Sequence, residues 1–543
     1  MDGVAASVIE WFLVHSLTLA ATRIGNRGAG MMGGLVKCPE QAPGMFAAPQ
    51  SRVGTSARFA TFLKFALERG RKSALLTVSP MSSPSASALP WYKTLTPNHW
   101  FVFTVASLAW LFDCLDQQLF ILARDNAIKA LSAAGTSGPE LKSLGGWAQS
   151  IFVAGWAMGG LIFGSVGDRI GRAKTLSITV LIYSLCTGLS AFSRDVTEFM
   201  IYRALTGLGV GGVFGLAVAL VADSLPDLAR AKALGLLQAL SAVGNVTAGL
   251  IAMSLAEMDP MHSWKYLFMI GAAPAFLCIF IMIRLKEPVK WIAARDASRA
   301  VGGKAMGSYG SLFGEAQWRG PAIFGMILCV AGVVGLWGVG FFSGSLIGPA
   351  IEKALRAQNL TPEKITAGKQ WWTAANLIVQ NIGAFFGMIV FSKLAHVYGR
   401  KIVFAGGFLA AFAVTIFFYK NFQTQSDIWM TGLMGFCQLG IFAGFAIYLP
   451  ELFPTRLRST GVSFCYNVGR FIAATGPITL GGLQKALGEK AVAALPATAD
   501  AVAKADAQLN AFRDAACWLA GIYFLGLLVL PFLPETKGRP LPE

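Results

Sequence analysis

Twelve long apolar runs fill the chain from residue 91 to its end, and they constrain the fold more than any other feature. The first six lie near residues 100–123, 146–166, 174–193, 197–222, 232–256 and 265–285, and the second six near 320–346, 371–394, 401–419, 427–449, 458–483 and 514–533. A helix needs about 20 apolar residues to cross the hydrocarbon core of a bilayer. Only 13% of the residues are charged, against about 25% in soluble domains. The sequence therefore predicts an all-α membrane protein with twelve transmembrane helices.

The second six runs repeat landmarks of the first six at a constant spacing of 228 residues. The stretch Gly164–Lys174, which contains an Asp-Arg and a Gly-Arg pair, has its counterpart at Ser392–Lys401. The matching pairs are Gly171 and Gly399, Arg172 and Arg400, Asp223 and Glu451, Pro226 and Pro454, and Arg230 and Arg458. A register held over such a length indicates two copies of one membrane unit. We therefore expect two pseudo-symmetric six-helix bundles.

The charged and irregular stretches between the runs set the domain boundaries. We expect the first bundle at residues 91–285, a basic linker at 286–319 and the second bundle at 320–543. Residues 1–90 do not share the pattern, and we expect a poorly ordered N-terminal extension there. Because residues 52–72 are basic and poor in acids, this extension is either a targeting segment or lies upstream of a translation start at Met81.

The net charge of +17 does not indicate a nucleic-acid partner, because the basic residues sit in short loops between apolar runs. Loops on the side of the linker hold most of them, and the positive-inside rule then places the linker and both termini in the cytoplasm, with the protein in the plasma membrane. The eight cysteines form no CxxC pair, and no nucleophile–base set or cluster of metal ligands is visible. We therefore expect no metal, no other cofactor and no enzymatic activity.

Four stretches carry a resemblance to a known family. They are Gly164–Lys174, Arg203–Gly209, Glu451–Arg456 and Pro534–Gly538. Together they resemble signatures of the major facilitator superfamily, in particular of the branch that holds aromatic-acid and sialate proton symporters, organic-ion transporters and sugar porters. The resemblance covers roughly residues 95 to 543. It implies transport by alternating access, in which the two bundles rock about a site near the middle of the membrane.

Two carboxylates lie near the middle of the first run. Asp113 and Asp116 are three residues apart, so a helix places both on one face. Close carboxylates repel in a medium of low dielectric, which favours protonation of one of them. The pattern resembles the paired acids of aromatic-acid proton symporters, and the resemblance also implies a role in proton coupling for Arg203. The alternative for each group is a fixed ion pair that holds the bundle together.

Arg470 lies about twelve residues into the eleventh run. A charge at that depth in a membrane is costly unless another group stabilises it. A planar guanidinium facing a cavity suits a carboxylate substrate, and organic-anion members of the branch are similar in having a base here. The alternative is an ion pair with Asp113 or Asp116. Other side chains near mid-depth are candidates for the wall of the pocket or for contacts between helices. They are Gln238, Asn245, Trp337, Gln380, Asn381, Gln438 and Asn467.

The repeated charged loops are candidates for gates. Asp168 can place its charge on the positive N-terminal end of the helix that follows Arg458. Such a contact would join the two bundles on the cytoplasmic side. The other candidates are Asp223 paired with Arg169 or Arg172, Glu451 paired with Arg400 or Arg456, and the repeated bases Arg230 and Arg458. In the second copy His396 stands at the position equivalent to Asp168. This replacement either makes the second gate weaker or pH-sensitive, or is neutral for function.

These features together favour a secondary active transporter, a proton-coupled symporter of a small organic acid. Its partners would be the substrate, protons and the lipid bilayer, and we expect a monomer. One alternative is a sugar porter, either a uniporter or a proton symporter, which Gln238 would suit. The other alternative is a receptor that senses a metabolite without transporting it.

Overall fold

The computed structural model describes residues 90–255, 260–274, 284–300, 302–340, 343–358, 361–473, 476–496 and 500–543. The expected N-terminal extension therefore lies outside the described residues, apart from residue 90. The domain boundaries expected above remain predictions.

The secondary structure of the described residues is helical, with no strand among them. The helices of the first copy are α1 (Pro97–Leu131), α2 (Gly138–Ile170), α3 (Arg172–Ser190), α4 (Val196–Ser224), α5 (Asp227–Ser254) and α6 (Pro260–Gly271). Two helices follow in the linker, α7 (Val289–Arg299) and α8 (Tyr309–Gly314). The second copy contains α9 (Ala316–Gly338), α10 (Ser343–Arg356), α11 (Pro362–Tyr398), α12 (Arg400–Asn421), α13 (Trp429–Glu451), α14 (Arg458–Ala473), α15 (Gly476–Ala493), α16 (Ala501–Leu519) and α17 (Tyr523–Val529). Short 3₁₀ segments lie at Trp91–Thr94, Gln425–Asp427, Thr455–Leu457, Ala520–Ile522 and Leu530–Phe532.

Ten helical stretches of the described residues are long and apolar enough to cross a bilayer. They match ten of the twelve expected spans, and the other two, near 265–285 and 458–483, contain residues outside the description. The expected all-α membrane fold is confirmed. The seventh span differs in detail, because its helix ends at Gly338 and a separate helix begins at Ser343. The sequence there, with Gly338 and Gly340 close together, weakens a continuous helix.

Glycine contacts reproduce the repeat in three dimensions. A methyl group added at Gly155 or Gly159 of α2 would collide with the backbone of Ala204 or Leu208 in α4. In the second copy, Gly383 and Gly387 of α11 approach α13 in the same way, at positions 432 and 436. Each of these residues is 228 positions from its counterpart. Small residues at this spacing let two helices approach closely inside a membrane.

The tight turns between the second and third helices of each copy also match. Gly171 between α2 and α3 has a φ of 125°, and Gly399 between α11 and α12 has a φ of 97°. Residues other than glycine rarely adopt such angles. The two copies meet where α2 packs against α14 and α5 packs against α11. Candidate site residues of both copies lie on these four helices.

Candidate functional site

The two acids of α1 are almost completely buried, with Asp113 1% and Asp116 0% exposed. Asp113 Oδ1 lacks a hydrogen-bond partner among the described residues, whereas the hydroxyl of Thr187 lies beside the carboxylate of Asp116. Their basic neighbours differ. Arg470 of the second copy acts electrostatically on Asp113, whereas Arg203 of the first copy acts on Asp116. Such buried carboxylates are costly and mark functional sites in membranes.

Arg203 lies in a pocket of hydroxyl and aromatic groups within the first copy. It is fully buried and donates a 2.6 Å hydrogen bond from Nη2 to Ser190 Oγ. The guanidinium carbon lies 4.7 Å from the ring centre of Phe268. The rings of Phe120 and Phe199 are also near. Nη1 has no hydrogen-bond partner in the described part of the chain, so one donor of the buried base remains available.

Arg470 lies between aromatic rings where α14 meets α2. Its guanidinium carbon is 3.8 Å from the ring centre of Trp156 and 4.3 Å from that of Tyr466. Nη1 donates a 2.6 Å hydrogen bond to Asn467 Oδ1. Nε has no hydrogen-bond partner among the described residues, although Arg470 is only 4% exposed. An unsatisfied guanidinium donor in a buried position is suited to an anion.

The other polar candidates divide into two groups. Asn245 donates a 2.8 Å hydrogen bond from Nδ2 to Asn381 Oδ1, which joins α5 to α11 across the two copies. Gln438 donates a 2.7 Å hydrogen bond to Thr415 Oγ1 and so ties α13 to α12 within the second copy. This second contact corresponds to the alternative of a contact between helices.

The remaining candidates also have defined positions. Gln380 of α11 is buried, and Gln238 of α5 is buried with an Oε1 that lacks a hydrogen-bond partner among the described residues. Trp337 of α9 is half-buried and meets the ring of Trp156 edge to face, with 5.8 Å between centres. The structure therefore joins Trp337, Asn467 and Arg470 around Trp156.

Asp168 at the end of α2 contacts the first turn of α14. Its Oδ2 accepts hydrogen bonds of 2.8 Å from both the backbone nitrogen and the hydroxyl of Thr460, and its Oδ1 accepts one of 3.2 Å from the nitrogen of Ser459. The same carboxylate accepts a 3.0 Å hydrogen bond from Arg172. Asp168 is therefore placed to stabilise the positive end of a helix that belongs to the other copy.

Asp223 continues this charged network across the two copies. It pairs with Arg172, one of the two expected alternatives, and also with Arg458 of the second copy. All three side chains are fully buried. Arg169, the other alternative, is exposed, and Arg230 pairs with Asp227 on its own helix.

The corresponding acid of the second copy pairs within that copy, and the neighbouring Arg456 pairs with the linker. Glu451 pairs with Arg400 at 2.7 Å and accepts a 2.6 Å hydrogen bond from the hydroxyl of Thr536. Arg456 pairs instead with Glu315, also at 2.7 Å, next to Lys304. Burial raises the pKa of Glu315, but the hydrogen bonds from Lys304 and Arg456 outweigh this effect, so its pKa lies below the usual range.

The linker fills the space beside these networks, which sequence reasoning did not foresee. The indole nitrogen of Trp291 donates a 2.9 Å hydrogen bond to the carbonyl of Asp168. The peptide at Gly307 bridges the copies: its nitrogen donates to the carbonyl of Arg456, and its carbonyl accepts from Ser165 Oγ. Gly307 has a φ of 60°. The two copies are thus held together on the side of the linker.

Two further residues were missed because their sequence context is ordinary. Trp156 and Tyr466 lie in apolar runs, where an aromatic residue most often packs in a core. Only their contact with Arg470 separates them from the other aromatic residues. The weak sequence signal was that Tyr466 lies four residues before Arg470, a spacing that places both on one helix face.

Two related helical bundles that bury charged side chains and are joined by an ionic network on one face are typical of a membrane transporter. The chain belongs to the Major Facilitator Superfamily, whose family model matches residues 132–477.

Comparison with curated proteins finds transporters over most of the chain. A probable 4-methylmuconolactone transporter of Cupriavidus pinatubonensis is 28% identical over 73% of this chain and 87% of its own length. The benzoate transport protein of Acinetobacter baylyi is 27% identical over 72% of this chain and 84% of its own. The niacin transporter NiaP of the same organism is 24% identical over 70% and 86%.

Solved structures share the fold. The proton:xylose symporter XylE aligns with a TM-score of 0.61 at 17% identity, over 82% of this chain and 97% of that one. The human organic anion transporter MFSD10 aligns with a TM-score of 0.55 at 14% identity, over 80% of this chain and all of that one.

Proposed function

We propose that this protein imports a small organic acid together with protons by alternating access, as a monomer in the plasma membrane with both termini in the cytoplasm. The observation that carries the proposal is the buried Arg470, whose Nε lacks a hydrogen-bond partner among the described residues and which interacts electrostatically with Asp113. A carboxylate substrate supplies the acceptor that this donor needs.

The named relatives support an organic acid. Benzoate and cis,cis-muconate are carboxylates, and these are what two related proteins of Acinetobacter baylyi transport by name. Niacin, in the name of a third, is also a carboxylic acid. The chain is only 24–28% identical to these three relatives, so they support the class of substrate and leave the compound open.

Proton coupling follows from competition for Arg470. A bound substrate carboxylate takes over the guanidinium that otherwise balances Asp113, and an unbalanced buried carboxylate then gains a proton. Asp116, next to Arg203 within the first copy, provides the second protonation site. The substrate anion and the proton on Asp113 together add no net charge, so the loaded protein changes between its two states at lower cost than with an unbalanced charge in the site.

The remaining candidates line or close this pathway. Gln238, Asn245, Trp337, Gln380, Asn381 and Asn467 contribute to the wall of the substrate site, whereas Gln438 holds α13 against α12. Asp168, Arg172, Asp223 and Arg458 hold the cytoplasmic side closed, with the linker beside them. Release of the substrate to the cytoplasm requires these contacts between the copies to break.

Purified protein in liposomes that hold a pH-sensitive dye tests the proposal. Benzoate, cis,cis-muconate, nicotinate, sialate and hexoses are added one at a time, and an organic acid should acidify the lumen only when the protein is present. Empty liposomes are the control, because undissociated acids cross lipid unaided. Asp113→Asn and Asp116→Asn should abolish accumulation driven by pH but retain exchange of labelled substrate, whereas Asp125→Asn, at an exposed acid on the same helix, should behave as wild type.

Substitutions of Arg470 test the proposal through the affinity for the organic acid. Arg470→Ala should weaken apparent affinity for the acid by more than 10-fold, since a charge-assisted hydrogen bond is worth about 1.5–3 kcal/mol. Arg470→Lys keeps the charge but loses the planar fork, so we expect an intermediate affinity. Full accumulation in both Asp variants, or unchanged affinity in Arg470→Ala, would contradict the proposal.

A sugar porter is the second candidate, favoured by the buried Gln238 whose Oε1 lacks a partner among the described residues. An amide in that position suits a hydroxyl group of a sugar. Equilibration of a labelled hexose without acidification by any organic acid would support this candidate over the first.

A further inference from the structure

We propose that a groove on the outer surface of the second copy binds the headgroup of an aminophospholipid, phosphatidylethanolamine. The groove lies between the end of α12 and the junction of α16 with α17. Its volume is about 320 Å³, a size typical of small-ligand sites. The residues that line it are Phe412, Lys420, Asp514, Cys517, Trp518 and Gly521. None of these residues is a candidate for the transport site, so the groove is a second site.

The depth of the groove in the membrane follows from the length of α12. This helix begins at Arg400, which pairs with Glu451 on the linker side, and Lys420 lies 20 residues later (420 − 400 = 20). A rise of about 1.5 Å per residue separates the two ends by about 30 Å, the thickness of the hydrocarbon core. Lys420 therefore lies at the headgroup level opposite the linker. Trp518, 77% exposed in the same groove, is the residue type that anchors helices at this level.

The groove presents one charge of each sign. Nζ of Lys420 donates a hydrogen bond to Asp514 Oδ1, and the two side chains are 52% and 50% exposed. An ion pair with this exposure contributes little to stability, so new partners readily replace it. Phosphatidylethanolamine carries a phosphate for the lysine and, after a short linker, an ammonium whose N–H groups suit the carboxylate. Its headgroup therefore matches both charges at once.

Two other common headgroups match the groove less well. Phosphatidylcholine has the same two charges, but its methylated ammonium has no N–H group to donate to Asp514. Phosphatidylglycerol brings the phosphate without any cation, so it leaves Asp514 next to a second negative charge. The chemistry of the groove therefore favours ethanolamine over choline and over glycerol.

An apolar surface leads from the groove toward the middle of the membrane. The ring centre of Phe412 lies 4.6 Å from that of Phe524 on α17. Phe524 and Leu528 are four residues apart, so they share one helix face, and both are exposed. The chain continues from α17 to Thr536, which contacts Glu451 on the linker side. The apolar surface therefore runs inward from the groove, in the direction that the acyl chains of a bound lipid take.

Alkylation of Cys517 measures occupation of the groove, because this half-buried, free thiol lines it. The purified full chain in detergent is titrated with the dioleoyl form of each of the three lipids. The rate of modification by N-ethylmaleimide is then read at Cys517 by peptide mass spectrometry. Phosphatidylethanolamine should slow the reaction at a concentration about 5-fold lower than the other two lipids require.

Substitutions of the two charges separate recognition of the headgroup from general contact with lipid. Asp514→Asn should raise the half-protecting concentration of phosphatidylethanolamine about 5-fold, to that of phosphatidylcholine, and leave the latter unchanged. Lys420→Gln should weaken both lipids, because both use the phosphate. Asp506→Asn is the matched control, since it removes another acid of α16, paired with Lys353 outside the groove. It should leave the preference unchanged.

A change at Gly521 tests the groove by its volume and without altering charge. A methyl group added at Gly521 meets no atom within 4 Å, so a larger side chain can enter the open space without a clash. Gly521→Leu should therefore fill part of the groove, and the rate at Cys517 should become slow and independent of lipid.

Several results would overturn the proposal. Equal protection by the three lipids would indicate general contact with lipid, and stronger protection by phosphatidylglycerol would exclude the aminophospholipid. A preference that survives Asp514→Asn, or one that is lost in Asp506→Asn, would place the headgroup elsewhere. Protection of Cys517 in Gly521→Leu as strong as in wild type would show that the lipid does not enter the groove. Failure of Cys517 to react even without lipid would show that the groove is closed.

Discussion

The two copies of the charged loop differ in which copy their acidic side chains contact. In the first copy Asp168 and Asp223 contact the second copy, through the first turn of α14 and through Arg458. In the second copy Glu451 pairs with Arg400 of the same copy, and the position equivalent to Asp168 holds the exposed His396. Only the first network therefore joins the two bundles.

This difference separates two uses of the same motif. A buried ion pair inside one bundle moves with that bundle and has the same energy in every state of a rocking mechanism. A pair between bundles is broken when they separate, so its energy biases the equilibrium between states. On the proposed mechanism the first network stabilises the state that is closed on the linker side, and we call it the latch. The second network stabilises one bundle equally in every state.

The largest contrast is expected between Asp223→Asn and Glu451→Gln. Each change leaves buried arginine charge without its partner, at a cost of about 3–5 kcal/mol. Asp223→Asn should shift the protein toward opening on the linker side, whereas Glu451→Gln should lower the unfolding temperature without such a shift. Pulsed EPR distances between spin labels at the exposed Lys174 and Tyr398, together with thermal unfolding in detergent, measure both effects. The same distance change in both variants would remove the distinction.

Asp168→Asn should have a somewhat smaller effect in the same direction. The amide keeps the shape of the side chain and can still accept a hydrogen bond from Thr460, but it loses the charge on the helix end and on Arg172. Interaction of a charge with a partly buried helix terminus is worth up to about 2 kcal/mol. The same EPR distance is the measurement. His396→Asn is the control at the equivalent position, and a shift as large in this control would count against the latch.

A third comparison concerns the acids that cap the two equivalent helices. Glu287 accepts hydrogen bonds from the backbone nitrogens of Arg172, Ala173 and Lys174 at the start of α3. Glu535 accepts them from Arg400 and Lys401 at the start of α12. We expect Glu287→Gln and Glu535→Gln each to lower stability by about 1 kcal/mol, and a strong inequality would show that the capping is not equivalent.

The cap at Glu535 predicts a pH dependence. Burial raises the pKa of Glu535, but hydrogen bonds from four backbone nitrogens outweigh it, so the folded-state pKa lies below the usual range. The stabilisation is therefore complete above the unfolded pKa of about 4.3 and is lost as pH falls through the folded value. The difference in unfolding temperature between wild type and Glu535→Gln should therefore shrink as pH falls below the unfolded pKa of about 4.3. A difference that grows on acidification would contradict this assignment.

The smallest effect is expected from installing the missing acid. His396→Asp places a carboxylate near Lys232 in the second turn of α5, where the nearby Ser392 already contacts the carbonyl of Ala231. An exposed pair of an acid with a lysine contributes about 0.2–1 kcal/mol. We expect a slight shift toward the state closed on the linker side and slower substrate exchange, and the matched change His396→Gln should leave both unchanged.

The architecture was predictable because it depends on local pattern. A run of about 20 apolar residues crosses a bilayer as a helix, and the spacing of 228 residues predicted two related six-helix units. The break between Gly338 and Ser343 was not predicted, because hydropathy continues through it. The resemblance to the superfamily, stated from four short motifs, is confirmed by the family match to residues 132–477.

The charged residues of the candidate site stand out in the sequence as a set, since each one is costly in an apolar run. Their partners were not predictable. Sequence left open whether Asp223 pairs with Arg169 or Arg172 and whether Glu451 pairs with Arg400 or Arg456. It also left Asp113 and Asp116 equivalent, and the structure places a different base near each.

The sequence by itself determined that this chain spans a membrane with two related helical units. It also showed that a few charged residues lie inside these units, where each must be stabilised by another group. Only the tertiary structure decided which acid meets which base, and that Trp156 lies against Arg470. The physical reason is that membrane insertion depends on the composition of one segment at a time, whereas pairing depends on how helices from distant parts of the chain are rotated against one another.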